Sequence, residues 1–109
     1  MRIIAGKNKG RIIKAPDNLP VRPTTDMAKE ALFNILENRY YINKKKVLDL
    51  FSGTGNIAFE FASRGAENIT AVDQHFHCCN FITKTATKLN YTIDVRKMDC
   101  LYFLQKTKM

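Results

Sequence analysis

No stretch of this 109-residue chain approaches the ~20 consecutive apolar residues that a membrane-spanning helix needs. Met1-Arg2-Ile3-Ile4 is followed at once by glycine and lysines, where a signal peptide would carry its apolar core. Both absences point to a soluble, cytoplasmic protein. Cysteine is scarce and odd in number, and two of the three, Cys78 and Cys79, are adjacent, with Cys100 apart. That excludes a disulfide framework and fits a reducing compartment in which the thiols act as small buried hydrophobes. There is no internal repeat and no low-complexity tract. The length leaves no room for two domains at ~100–200 residues each. A 45% hydrophobic content can still fill one core, which argues against disorder.

Carboxylates are the other shortage, 10 against 18 lysines and arginines, for a net charge of +8. Residues 1–24 hold Arg2, Lys7, Lys9, Arg11, Lys14 and Arg22 against Asp17 alone, a net of +5 that leaves +3 for the other 85 residues. A basic arm before a nearly balanced body suggests a polyanionic partner such as nucleic acid. By itself the arm could equally be solubilising charge.

Residues 2–5 and 11–14 are β-prone, and Gly6-Lys7-Asn8-Lys9-Gly10 between them is turn-forming, which predicts a β-hairpin with two lysines at its tip. Residues 15–23 hold all three prolines and read as an extended connector. Thr24 or Thr25 offers an N-cap, and Ala28, Ala31, Leu32, Ile35 and Leu36 place an apolar stripe on a helix ending near Asn38. Residues 47–51 read as a buried parallel strand, followed by a turn over 52–56, a helix over about 57–64 and a closing Gly65. A second strand over 69–73, a helix over 75–89 stopped by Asn90, a third strand over 93–97 and a helix over 100–106 complete the order. Alternation of this kind predicts an α/β protein: a hairpin and helix, then β-α-β-α-β-α on a parallel sheet with right-handed crossovers.

The chemistry gathers at Asp49-Leu50-Phe51-Ser52-Gly53-Thr54-Gly55, which ends the first parallel strand, with Asp73 ending the second. Glycines let backbone approach a ligand, and an acid ending the next strand can accept from both hydroxyls of a ribose. This describes a nucleoside pocket. Gly53-Thr54-Gly55-Asn56-Ile57-Ala58 also fits the dinucleotide fingerprint G-x-G-x-x-A, so a nucleotide-dependent oxidoreductase stays open. Asp49 favours the other reading, because a carboxylate facing the turn would repel a pyrophosphate and attract the ammonium and sulfonium of S-adenosylmethionine.

The segment 47–55 resembles motif I of the class I S-adenosylmethionine-dependent methyltransferases. Residues 1–11, Val21-Arg22-Pro23-Thr24-Thr25-Asp26 and Ala31-Leu32-Phe33-Asn34-Ile35-Leu36 are similar, in the same order, to bacterial 16S ribosomal RNA (guanine-N2) methyltransferases. The resemblance implies a Rossmann-like methyltransferase fold, with a basic hairpin and connector over 1–24 and a partial cofactor-binding domain over 25–109. It implies that Asp49, Phe51, Gly53 and Gly55 line the methionine side of the cofactor and that Asp73 holds its ribose. Asp99 and Cys100 would flank the adenine, with Asn56 and Gln74 as neighbours. Lys7, Lys9 and Arg11 would face ribosomal RNA or the small subunit, with Arg22 and Thr24 near the pocket mouth.

One departure is large. The family's Asn/Asp-Pro-Pro-Tyr motif, which grips the base amine, is absent, since no Pro-Pro pair occurs here. The sequence therefore holds the donor half of the site without its acceptor half, no catalytic residue is assigned, and the 109-residue chain is expected to lack turnover. A non-catalytic RNA-binding fragment is the alternative. The first strand's open edge is expected to promote self-association. His75, His77, Cys78 and Cys79 lack zinc-site spacing, so no metal is expected and the histidines read as flanking a helix start. Lys44-Lys45-Lys46 reads as a solvated turn, and Tyr40, Tyr41, Phe59 and Phe61 as packing residues.

Overall fold

The computed structural model describes residues 1–21 and 24–106. Its order is α1 (Asp26–Arg39), β1 (Lys46–Asp49), α2 (Asn56–Ser63), β2 (Asn68–Asp73), α3 (Phe76–Lys88), β3 (Ile93–Lys97) and α4 (Cys100–Lys106). The strands form one parallel sheet in the order β1-β2-β3, with Val47 opposite Ile69 and Ile69 opposite Ile93. The α/β alternation read from the sequence is therefore the architecture found. No helix among the described residues is long and apolar enough to cross a membrane.

Two right-handed crossovers in the same direction place α2 and α3 on one face of the sheet. There Phe59 of α2, Ile82 and Ala86 of α3 and its C-cap Leu89 form the larger core cluster, and Ile3 and Ile13 of the N-terminal arm are buried within it. Ala58, Ile69 and Ala71 form the second cluster under α2. The arm is thus an integral wall of the core. It makes a single antiparallel bridge, Arg2 with Ile12, in place of the expected two-stranded ladder. The turn packs instead against α2: the Lys7 amide donates to the Ser63 carbonyl at 2.7 Å and the Asn8 amide to Ser63 Oγ at 3.0 Å. A Cβ at Gly6 would lie 2.0 Å from that carbonyl oxygen, so this docking needs glycine at a φ of +89°.

Helix α1 is capped as expected, by Thr25 Oγ1 accepting from the Ala28 amide at 3.2 Å, but it buries a different face. Lys29 and Phe33 are fully buried and Leu36 half-buried, whereas Leu32 and Ile35 stay 40% and 58% exposed. The buried stripe lies one residue later than the apolar one, about 100° around the helix. A charged network sets that rotation. Lys29 Nζ lies 3.1 Å from Glu60 Oε1 and donates to Arg2 O at 2.5 Å and Asn56 Oδ1 at 2.8 Å, which uses all three ammonium hydrogens. Glu60 in turn accepts from the amides of Ile4 and Ala5 and from Arg64 Nε at 2.8 Å. Arg64 lies over the Phe33 ring, which packs edge-on against Phe61. Tyr40 and Tyr41, expected to pack, are 59% and 74% exposed, because α1 ends at Arg39 and Tyr40 turns into extended backbone.

A parallel sheet is normally covered on both faces and flanked by further strands. Here α4, packed on β2, is the element left for the second face, and β1 pairs on one edge only among the described residues. Val47, Leu48 and Leu50 consequently remain half-buried.

Candidate functional site

The strand ends build a cleft. β1 stops at Asp49, two residues earlier than its apolar run, because Asp49 folds the chain over itself. Its Oδ1 accepts from the Phe51 amide at 3.2 Å and its carbonyl from Ser52 Oγ at 3.0 Å. Gly53, at a φ of +54°, then brings its amide within 2.9 Å of Asp73 Oδ2. Asp73 Oδ1 accepts from the His75 amide at 2.8 Å, so one half-buried carboxylate ties the glycine turn to the start of α3. His75 caps that helix, its Nδ1 accepting from the His77 amide.

Two open compartments meet at this carboxylate. The larger, about 410 Å³, is lined by Pro20, Leu50, Gln74, His75, Met98, Asp99 and Cys100 among others. The smaller, about 280 Å³, is lined by Thr24, Ser52, Gly53, Thr54, Asn56 and Ile57. Val21, Phe51 and Asp73 border both. Residues from three strand ends, from the connector and from the starts of three helices thus converge where ligands enter α/β sheets.

The residues singled out in the sequence take distinct places. Phe51, Gly53, Asn56, Asp73, Gln74, Asp99 and Cys100 line the cleft. Asp99 also accepts from the Leu101 amide at 2.9 Å, starting α4. Asp49 and Gly55 line neither compartment. Gly55 is required by packing, since at a φ of +81° its Cβ would come within 2.8 Å of the Phe59 ring. Asn56 is held on both sides, accepting from Lys29 and donating to Thr24 O at 2.8 Å, so it fixes the cleft wall. Lys7 and Lys9 sit at the α2 C-terminus, at the end of the sheet opposite the cleft, because crossover helices run antiparallel to their strands. Arg22 lies outside the described residues. Lys29 and Glu60, which secure the cleft wall from behind, have no signature in local sequence pattern.

Electrostatics narrows the ligand. The amides of Phe51, Ser52, Gly53 and Gly55 all donate within the protein, the last to Ser52 O at 2.7 Å, so these four are committed before any ligand arrives. Burial pushes the Asp49 carboxyl above its ordinary range and the nearby Asp73 charge adds to this, against the hydrogen bonds from Phe51 and Ser52. Two neighbouring carboxylates favour a cationic group beside the turn and disfavour an anionic one. These acceptors suit a nucleoside that carries positive charge.

A family model described as "Conserved hypothetical protein 95" matches residues 1–109. An uncharacterized methylase of Rickettsia prowazekii is 38% identical over 96 residues, covering 83% of this chain and 41% of that protein. Ribosomal RNA small subunit methyltransferase D of Buchnera aphidicola is 34% identical over 107 residues, covering 97% of this chain and 54% of that protein. Among solved structures, the yhhF protein of Escherichia coli superposes with a TM-score of 0.81 at 31% identity, over 95% of this chain and 55% of that one. The chain thus spans about half the length of the curated relatives it matches.

Proposed function

The chain belongs to the conserved hypothetical protein 95 family, and from that premise we propose that it forms the S-adenosylmethionine-binding half of a methyltransferase acting on guanine N2 of small-subunit ribosomal RNA. The observation that carries this reading is the two-compartment cleft meeting at Asp73. Asp73 takes the ribose hydroxyls, adenine lies between Gln74, Asp99 and Cys100, and the methionine portion lies against Gly53 in the smaller compartment. When bound, the cofactor supplies a methyl group made electrophilic by its sulfonium. The chain's own residues hold that group in place: Asn56 and Thr24 fix the wall behind it, and Asp49 and Asp73 supply the negative potential a sulfonium requires.

The sequence carries no Asn/Asp-Pro-Pro-Tyr motif, so binding rather than turnover tests the reading. Calorimetric titration with S-adenosylhomocysteine is expected to give saturable binding, with no competition from a nicotinamide dinucleotide. Competition would favour an oxidoreductase. A folded sample that binds neither would make an RNA-binding fragment the better description.

The edge of β1 that is unpaired among the described residues, with the half-buried Val47, Leu48 and Leu50 beside it, is a template for strand pairing. Self-association of the 109-residue chain is the expected result. Light scattering across a hundredfold concentration range checks it, and a constant monomer mass would refute it.

A further inference from the structure

On the helical face, the second limb of the arm and α3 enclose an open groove of about 290 Å³. Ile13, Phe81 and Leu89 form its apolar floor, and Arg11, Lys14 and Lys88 stand on its rims. None of these three cations lies within ion-pair distance of a carboxylate among the described residues. Nor does either wall contain one. Residues 1–16 hold five lysines and arginines and no Asp or Glu, and residues 74–93 hold two lysines and no Asp or Glu. These two segments carry seven of the chain's eight net positive charges. Folding brings them side by side, although they are more than fifty residues apart in sequence.

Both walls lead to the cleft. Beyond Lys14 the arm becomes the connector whose Pro20 and Val21 line the larger compartment, and α3 is capped by His75, which lines it too. From Lys88 back to Phe81 is seven helical residues, about 10 Å, room for two or three nucleotides of an extended strand. Apolar floor and cationic rims are the features of a single-strand nucleic-acid groove, in which the floor receives sugar and base faces and the rims hold phosphates.

We propose that the groove between Arg11–Lys14 and α3 binds the backbone of substrate RNA and guides it toward the cleft. The proposal rests on the RNA-methyltransferase reading and moves the principal RNA contact from the tip lysines, Lys7 and Lys9, to Arg11, Lys14 and Lys88.

Fluorescence anisotropy with a labelled 12-nucleotide single-stranded RNA of mixed sequence tests it, on the full chain. The Lys14→Glu/Lys88→Glu pair is expected to weaken binding at least tenfold at 50 mM salt and to flatten the salt dependence by about 1.4 in log–log slope, at ~0.7 per phosphate contact on a single strand. Lys44→Glu/Lys45→Glu, with the same change in net charge at the exposed turn before β1, is expected to weaken it less than threefold. Equal losses in both pairs, or no loss in the first, would overturn the groove and leave the RNA reading standing. Equal competition from polyglutamate at matched charge would make the surface a general anion binder and overturn it as well. Absence of RNA binding by the unmodified chain would overturn both the groove and the RNA reading, while the S-adenosylhomocysteine titration reports on the cleft independently. Unfolding midpoints of both pairs equal to that of the parent exclude a folding defect as the cause.

Discussion

Replacing Lys29 with methionine is expected to cost about 3–5 kcal/mol of folding stability, the typical penalty for leaving one partner of a buried ion pair uncompensated. Both side chains are essentially inaccessible, at 1% and 0% exposure, so water cannot replace the lost partner. Three acceptors lose their donor at once: Glu60 Oε1, Arg2 O and Asn56 Oδ1. A domain of this size is stable by only about 5–15 kcal/mol in total, so urea unfolding followed by circular dichroism should show a midpoint reduced by about a fifth or more. A loss below about 1 kcal/mol would mean that Glu60 is adequately held by Ile4, Ala5 and Arg64 alone.

Acid separates the two cases further. Burial alone would raise the Glu60 carboxyl, but the Ile4 amide, Arg64 and Lys29 together hold it below its ordinary value of 4.5. A depressed carboxyl stabilises the fold fully above its unfolded pKa, and the contribution fades as pH falls through the folded value. Without Lys29 the carboxyl takes up its proton at higher pH, which relieves the buried charge. The stability gap between parent and Lys29→Met should therefore narrow on acidification from pH 7 to pH 4.

The same pair explains which parts of the fold were legible in the sequence. The βα alternation, the Gly65 and Asn90 stops and the meeting of Gly53 with Asp73 follow from local periodicity and turn chemistry, and the structure has them. Gly65 and Asn90 take φ values of +103° and +61°, and the Gly53 amide reaches Asp73 at 2.9 Å. The orientation of α1 is not local. Its partner Glu60 lies 31 residues away, and a lysine followed by glutamate reads as solvated surface wherever no such partner is known. A buried cation at position 29 turns the helix by one residue, so Phe33 faces inward and Ile35 outward. The direction of the hairpin escaped for a similar reason. Residues 6–10 form a turn in either case, but only the Ser63 carbonyl and hydroxyl, presented by the end of α2, decide that the turn lies away from the cleft. In the site, cleft-lining residues such as Asp73 and Gln74 were visible as strand-end positions. Asn56 was visible as a neighbour of the glycines, but its double tether to Lys29 and Thr24 depends on chain segments more than twenty-five residues distant.

Asp73→Ala is expected to lower affinity for S-adenosylhomocysteine at least a hundredfold. Hydrogen bonds from a charged group contribute about 1.5–3 kcal/mol each, and two ribose hydroxyls would lose theirs together, or about 3–6 kcal/mol. The carboxylate also organises the cleft before any ligand arrives, because Gly53 and His75 both donate to it. Asp73→Asn distinguishes these roles. Its amide is isosteric and keeps one acceptor oxygen, so one of the two turns remains tethered, while its second atom is now a donor facing an amide that also donates. If Asp73 acts mainly on the ribose, Asn should recover part of the affinity by exchanging hydrogen bonds with hydroxyls, which donate and accept. If it acts mainly by fixing the turn, Asn should fail like Ala, and the folding stabilities of both variants should fall together by about 1–3 kcal/mol per unsatisfied amide. Calorimetry and urea unfolding on the same three samples read both effects. Retention of affinity within tenfold in a folded Asp73→Ala protein would remove Asp73 from the ribose and, with it, the assignment of adenosine to the larger compartment.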